Sequence, residues 1–330
     1  MDSVTRSTRS SASDNRLQPV AVLGTGMMGP GITVILALAG HPATLYGRTP
    51  SSVSTGLGAV DRCLDQLLRE RLATARAAQA ARRRIDGACD LATAVGRAAF
   101  VFESVAEDLA LKQQLFGQVE RLAGPDTILA SNTSGLPITR IAERMTCPER
   151  AATAHFWNPP QLMPLVEIVK GERTSEETLV RLAEVLAKAG KRVVVVRKDL
   201  PGQLGNRLLH ALFREAFHIV QEGIASVEDV DVALKHGPGL RFPAYGLLEH
   251  ADMVGLDMMV AIESYLFGAL STMDQPPEFV HALIARGALG AKTGHGLYDW
   301  TQRSAPEVLA ARDKFVAARL REARATRAQR

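Results

Sequence analysis

The chain has 330 residues, 46% hydrophobic and 22% charged, enough for two domains with a sizeable core and too ordinary for a fibrous or disordered class. Its net charge of +4 sits at the ends: residues 301–330 hold eight basic and three acidic side chains, while 19–300 is slightly acidic, so the folded body offers no nucleic-acid footprint. No apolar run reaches the roughly 18–20 residues that span a bilayer, and Cys63, Cys89 and Cys147 are too few and too scattered for a disulfide framework or a cysteine zinc site.

A cytoplasmic protein with no metal, membrane or nucleic-acid partner is therefore expected. Residues 1–18, rich in Ser, Thr and Arg, are expected to form a disordered tail. Pro19–Leu23 is a short apolar run of the buried parallel-strand kind. Gly24-Thr25-Gly26-Met27-Met28-Gly29 follows it, then Ile32–Ala39 as a helix ended by Gly40, then Ala43–Tyr46 as a second strand.

In that strand–turn–helix–strand context the glycines form a dinucleotide fingerprint. The first permits the tight turn, the second lets backbone approach a pyrophosphate, and the third lets helix pack on strand. Gly24, Gly26, Met27, Met28 and Gly29 are assigned to the cofactor on this basis. NAD enzymes usually place an Asp or Glu at the end of the second strand for the ribose hydroxyls. Gly47-Arg48-Thr49 stands there instead, so no carboxylate repels a 2′-phosphate and Arg48 can pair with one. Arg48 as an exposed turn residue, or stacked on the adenine of NAD, is the other reading. The cofactor is NAD or NADP, with a slight lean to NADP.

Residues 51–95, rich in Ala and Arg, are expected to be helical. Ala98–Glu103, Thr127–Ala130, Ala151–Phe156 and Arg192–Arg197 read as strands, with helices over Leu109–Leu122 and Ser175–Ala189. This alternation predicts a doubly wound sheet. At Asp199-Leu200-Pro201-Gly202 the strand signal stops and helical periods take over: Leu204–Gln221, Val227–Lys235, Met258–Leu270 and Phe279–Arg286. The expected fold is α/β, a Rossmann-type, mostly parallel sheet over 19–200 followed by an all-α C-terminal domain over 201–300. Residues 301–330 are expected to be a basic, solvated helix or tail.

Ser134 and His155 each follow a strand, at the carboxyl edge where ligands of open parallel sheets bind. Glu167 comes after a proline-bounded loop, and Asn206 opens the first helix of the second half. Hydride transfer is a chemistry these residues can share. Oxidising an alcohol needs a base at the hydroxyl proton, and an imidazole, with an ordinary pKa of about 6.5, serves in both directions. A carboxylate on its other ring nitrogen fixes the tautomer and stabilises the imidazolium, the role open to Glu167. Ser134 and Asn206 would donate hydrogen bonds to substrate oxygens. Taken singly, each also has an ordinary use: a packed histidine, a helix cap, a surface carboxylate. Phe156 and Trp157 are expected to wall the site, with Pro159-Pro160 stiffening its loop.

The segments GTGMMGPG, ESVAEDLALKQQLF, ASNTSGLPIT, HFWNPPQLMPLVEIVKG, DLPGQLGNRLL and GAKTGHGLYDW run from about Pro19 to Trp300. Together they make the chain resemble the L-3-hydroxyacyl-CoA dehydrogenase family. The resemblance implies that Ser134, His155, Glu167 and Asn206 form the active site and that Asn158 lies near the substrate. It also implies that Glu107 and Lys112 lie beside the nicotinamide end, with Asn132 in the cofactor site. A two-domain dehydrogenase follows, interconverting a 3-hydroxyacyl substrate, taken as a CoA thioester, and its 3-keto form, with the helical domain building a homodimer.

The sequence departs from that pattern in places. Cys63–Arg71 stands where CoA-using relatives carry serine and lysine contacts, Leu247 replaces a common proline, and His295 an acidic residue. A free hydroxy acid or other small non-CoA alcohol stays open as the substrate, as does a non-catalytic dinucleotide-binding protein. Gly202–Asn206 lacks the lysine of lysine-based hydroxyacid dehydrogenases, and no tyrosine has a lysine four residues on, as short-chain reductases need.

Overall fold

The structure, a computed structural model, describes residues 17–328; the expectation for the N-terminal tail lies, up to Arg16, outside the described residues. From Leu17 the chain runs β1 (Val20–Leu23), α1 (Gly29–Leu38), β2 (Ala43–Tyr46), α2 (Pro50–Arg69), α3 (Ala75–Arg82), β3 (Ile85–Ala88), α4 (Leu91–Val95) and β4 (Phe100–Glu103). It continues through α5 (Leu109–Leu122), β5 (Ile128–Ser131), α6 (Ile138–Ile141), β6 (Ala151–Phe156), β7 (Leu165–Val169), α7 (Glu176–Lys188) and β8 (Arg192–Val196).

These strands form one eight-stranded sheet in the order β3-β2-β1-β4-β5-β6-β7-β8. All neighbours are parallel except β6 and β7. Strand β1 lies between β2 and β4, so the winding direction reverses there and opens a crevice at the carboxyl ends. Every residue of β1, β4, β5 and β6 is buried, which is why they read as mostly apolar runs rather than alternating ones. This is the expected Rossmann-type sheet.

Two stretches differ from expectation. Residues 51–95 are not one helical region, because β3 forms the sheet edge within them. Ile85-Asp86-Gly87-Ala88 carries a single large apolar residue, and Gly87 is dictated by packing: a Cβ there would stand 2.4 Å from Val53 Cγ1. The segment with Glu167 is strand β7, turned back antiparallel along β6.

The described chain divides into two compact units, one up to Gln203 plus the segment from Asp313, the other Leu204–Arg312. The second unit holds α8 (Gly205–Gln221), α9 (Val227–His236), α10 (Pro238–Arg241), α11 (Leu247–Val254), α12 (Leu256–Leu266) and α13 (Glu278–Ala285). It is helical, as expected.

The last helix, α14 (Ala305–Ala328), takes the helical form suggested for the basic C-terminal segment, but one side of it is packed rather than solvated. Ala317 is fully buried, and Val316 and Leu320 pack against the sheet's hydrophobic core. Arg321 donates to Glu70 O and Arg324 to Leu72 O, filling carbonyls left at the C-terminal end of α2. Part of the tail's positive charge is thus engaged in docking. No helix among the described residues is long and apolar enough to cross a membrane.

Candidate active site

The glycine turn is built by backbone crowding. Gly24 has φ +118°, and a Cβ on it would meet Ser104 O at 2.3 Å; one on Gly29 would meet Gly24 O at 1.8 Å. Gly26 has nothing within 4 Å of its Cβ position, so packing does not require that glycine and open space lies in front of it. Helix α1 starts with no side-chain cap at Met28, leaving its first amides to a ligand. A dinucleotide pyrophosphate fits that combination. Past β2, Thr49 and Ser52 cap α2 reciprocally, which commits the Ser52 hydroxyl, and Arg48 is exposed beside them.

A buried charge network holds the carboxyl edge of β4 and β5. Glu103 and Lys112 are each 1% exposed, with Lys112 Nζ 2.7 Å from Glu103 Oε1 and 3.3 Å from Glu107 Oε2. Glu103 also accepts from Val105 N at 2.7 Å and from Ser131 Oγ at 2.6 Å. Glu107 in turn accepts from Thr133 Oγ1, Ser134 N and Gly135 N. Burial works to raise the Glu107 carboxyl, but the Thr133 hydroxyl and the Lys112 ammonium together hold it below its ordinary range. The backbone that carries Ser134 is therefore fixed by an ionised carboxylate. Lys112, expected beside the nicotinamide end, has its ammonium enclosed between these two carboxylates. Asn132 crosses the strand ends, accepting from Phe156 N at 2.8 Å and donating to Ser104 Oγ at 3.3 Å.

His155 and Glu167 are directly opposite each other in the antiparallel β6–β7 pair. Opposed residues bring their Cβ atoms within about 4.5–5.5 Å, so side chains on one face meet. His155 Nδ1 lies 2.8 Å from Glu167 Oε2, with the carboxylate fully buried and the imidazole 5% exposed. An ionised carboxylate only accepts, so the Nδ1 proton points to Glu167 and Nε2 becomes the basic nitrogen. Trp157 Nε1 donates to the same Oε2 at 3.0 Å, and its ring lies 5.9 Å from the imidazole. That second donor had no signal in the sequence.

Phe156 does not wall the site. Successive strand side chains point to opposite faces, and Phe156 lies in the core, edge-on to Phe102 at 6.0 Å. Ser134 and Asn158 are exposed in loops after β5 and β6. Asn206 lies in the other unit, in the first turn of α8.

The loop after β6 is held from below by Lys191, which donates to Pro160 O and to Met163 O, the latter at 2.8 Å. Burial pushes this ammonium down from 10.5 to about 7. Between those pH values the unfolded chain keeps a proton the folded chain has lost, so this group raises stability as pH rises. In urea titrations, the native protein is expected to gain more stability between pH 7 and pH 9 than Lys191→Met, by roughly 1–3 kcal/mol. Equal gains would refute the assignment.

A family model described as "3-hydroxyacyl-CoA dehydrogenase, NAD binding domain" matches residues 19–200, and one described as "3-hydroxyacyl-CoA dehydrogenase, C-terminal domain" matches 202–300. The chain is 33% identical to 5-formyl-3-hydroxy-2-methylpyridine 4-carboxylate 5-dehydrogenase of Mesorhizobium japonicum, over 92% of this chain and 97% of the relative. Among solved structures, a 5-formyl-3-hydroxy-2-methylpyridine 4-carboxylic acid 5-dehydrogenase, an NAD+-dependent dismutase, superposes with TM-score 0.85 at 31% identity, covering 92% of this chain and 97% of the other. (S)-3-hydroxybutyryl-CoA dehydrogenase of Ralstonia eutropha superposes with TM-score 0.72 at 32% identity, covering 86% and 99%.

Proposed function

The chain belongs to the 3-hydroxyacyl-CoA dehydrogenase family, and from that premise we propose that it interconverts a 3-hydroxyacyl substrate and its 3-keto form by hydride transfer. The observation that carries this reading is the buried His155–Glu167 pair, at 2.8 Å in direct cross-strand register. In the oxidative direction His155 Nε2 takes the hydroxyl proton as the carbon–hydrogen bond breaks, and Glu167 stabilises the imidazolium. In reduction the imidazolium returns that proton to the forming alkoxide. Ser134 and Asn206 donate hydrogen bonds to the substrate oxygens, and Asn158 lines the substrate from the loop after β6. The nicotinamide, when bound, supplies the hydride acceptor or donor.

Gly24, Gly26, Met27, Met28 and Gly29 would hold the pyrophosphate, with Glu107, Lys112 and Asn132 shaping the nicotinamide end. NAD is the cofactor of the family domain. Exposed Arg48, with no acidic residue adjoining it in Tyr46-Gly47-Arg48-Thr49, supports acceptance of the 2′-phosphate of NADP as well.

The acyl carrier is read first as a CoA thioester. A second reading, a free aromatic or aliphatic acid, is favoured by the higher TM-score to the pyridine carboxylate dehydrogenase, 0.85 against 0.72, at 31% and 32% sequence identity. Oxidation of NADH and NADPH with acetoacetyl-CoA, acetoacetate and a 5-formylpyridine carboxylate separates the two. Turnover of the thioester supports the first, turnover of free acids alone the second, and no turnover of any carbonyl overturns the dehydrogenase reading.

We further propose a homodimer through the second unit. No residue of α8 to α13 is buried, and Leu212, Phe213, Leu248, Val260 and Tyr265 are exposed. Helices this apolar need a covering surface, and an identical copy supplies one. Free thiols at Cys63, Cys89 and Cys147 accord with a reducing, cytoplasmic setting.

A further inference from the structure

The loop that follows His155 carries Trp157 and Asn158, and its far end at Gln161 is held by groups the hydride-transfer chemistry does not use. Gly31, in the first turn of α1, touches it directly: a Cβ there would stand 2.5 Å from Gln161 Oε1 and 2.6 Å from Pro160 Cγ. Gln161 Nε2 donates to Gln66 Oε1 in α2 at 2.7 Å. Gln66 Nε2 donates in turn to Asp313 Oδ2 in α14 at 2.8 Å.

The two amides have a defined polarity. A carboxylate accepts only, so Asp313 draws the NH2 of Gln66 towards itself. The Gln66 carbonyl then faces Gln161 and draws the NH2 of that side chain. Gln161 Oε1 is left turned towards Gly31, where a larger residue would displace it. One carboxylate on the returning helix thereby sets the orientation of an amide in the loop after His155, through the side chain of Gln66.

We propose that Gln66 and Gln161 are positioning residues, and that Asp313 acts through them to register the Trp157–Met163 loop on the dinucleotide half of the fold. The proposal rests on reading His155 and Asn158 as site residues. Trp157 shares Glu167 Oε2 with His155, so a shift of the loop reaches the imidazole through that shared oxygen. Placement errors of about 1 Å in a reacting group can lower rates by roughly 100-fold. A relay of two amide hydrogen bonds is expected to command part of that range.

The test moves the charge along the relay. Gln66→Glu sets a carboxylate against Asp313 and is expected to lower kcat roughly 5- to 50-fold with KM for the dinucleotide unchanged. Because two facing carboxylates can share a proton, the deficit relative to the native protein should shrink as pH falls below about 6. Adding Asp313→Asn restores donor–acceptor complementarity and is expected to bring kcat back to within about threefold of the Asp313→Asn single variant. Gln161→Leu serves as a second probe if Gln66→Glu does not fold, and should lower kcat to a similar extent.

Trp157 fluorescence in a Trp300→Phe background reads the loop without any substrate, since these are the only two tryptophans in the chain. Its emission should shift in Gln66→Glu and return in the double variant. If Gln66→Glu lowers the melting temperature while kcat and Trp157 emission stay unchanged, or if Asp313→Asn brings neither back, the relay is overturned. If no carbonyl is turned over by the native protein, the catalytic reading fails, and the emission shift alone still decides the relay.

Discussion

His155→Ala is expected to lower kcat by about 10²- to 10⁴-fold, the range general acid–base catalysis commonly contributes. The imidazole would be the group that takes the hydroxyl proton, with its Nδ1 held 2.8 Å from Glu167 Oε2. Without it, water must serve as the base, unoriented and far less basic at neutral pH. Dinucleotide affinity should change little, because the glycine turn is built by Gly24, Gly29 and Ser104 and not by the β6–β7 pair. Stopped-flow absorbance of NADH in a single turnover, together with NADH binding by fluorescence, separates the two effects. Retention of hydride transfer within about tenfold of the native rate would remove His155 from the mechanism.

Lys112→Met is expected to destabilise the fold by about 3–5 kcal/mol, the cost of leaving a buried carboxylate without its counter-ion. Glu103 is 1% exposed, and Lys112 is the cation beside it. Val105 N and Ser131 Oγ still donate to Glu103, but they are neutral and cannot replace the ammonium. A loss of this size is a large share of the roughly 5–15 kcal/mol that holds a typical domain folded. The double variant Lys112→Met with Glu103→Gln removes the stranded charge and should recover most of the loss, as urea midpoints would show. A Lys112→Met midpoint equal to the native one would mean that the pair is not a stabilising network. Lys112 also pairs with Glu107, which holds the backbone of Ser134 and Gly135, so the same change should loosen the Ser134 turn.

What could be read from sequence follows from the range of the forces involved. The glycine turn is a local constraint: Gly24 needs positive φ and Gly29 has no room for a side chain, and both requirements recur wherever that turn is built. The apolar strands of the parallel sheet are likewise legible, since a strand buried on both faces is apolar at most positions, with Glu103 and His155 as paired exceptions. Strand β3 escaped because an edge strand next to α2 needs little apolar surface, and Gly87 there looks like a breaker until Val53 is seen lying against it.

The sequence by itself determined the fold class, the dinucleotide turn and the candidate chemistry of His155 and Glu167. Tertiary structure alone decided how those parts meet. The strand that turns back as β7 sets His155 opposite Glu167, alternation along β6 sends Phe156 into the core, and the indole of Trp157 closes on the same carboxylate. The basic tail is the clearest case. Its composition reads as solvated, yet Ala317 is buried and Asp313 reaches the loop after His155 through Gln66 and Gln161. Residues separated by 247 positions make that contact, and no local pattern encodes a partner so distant in the chain.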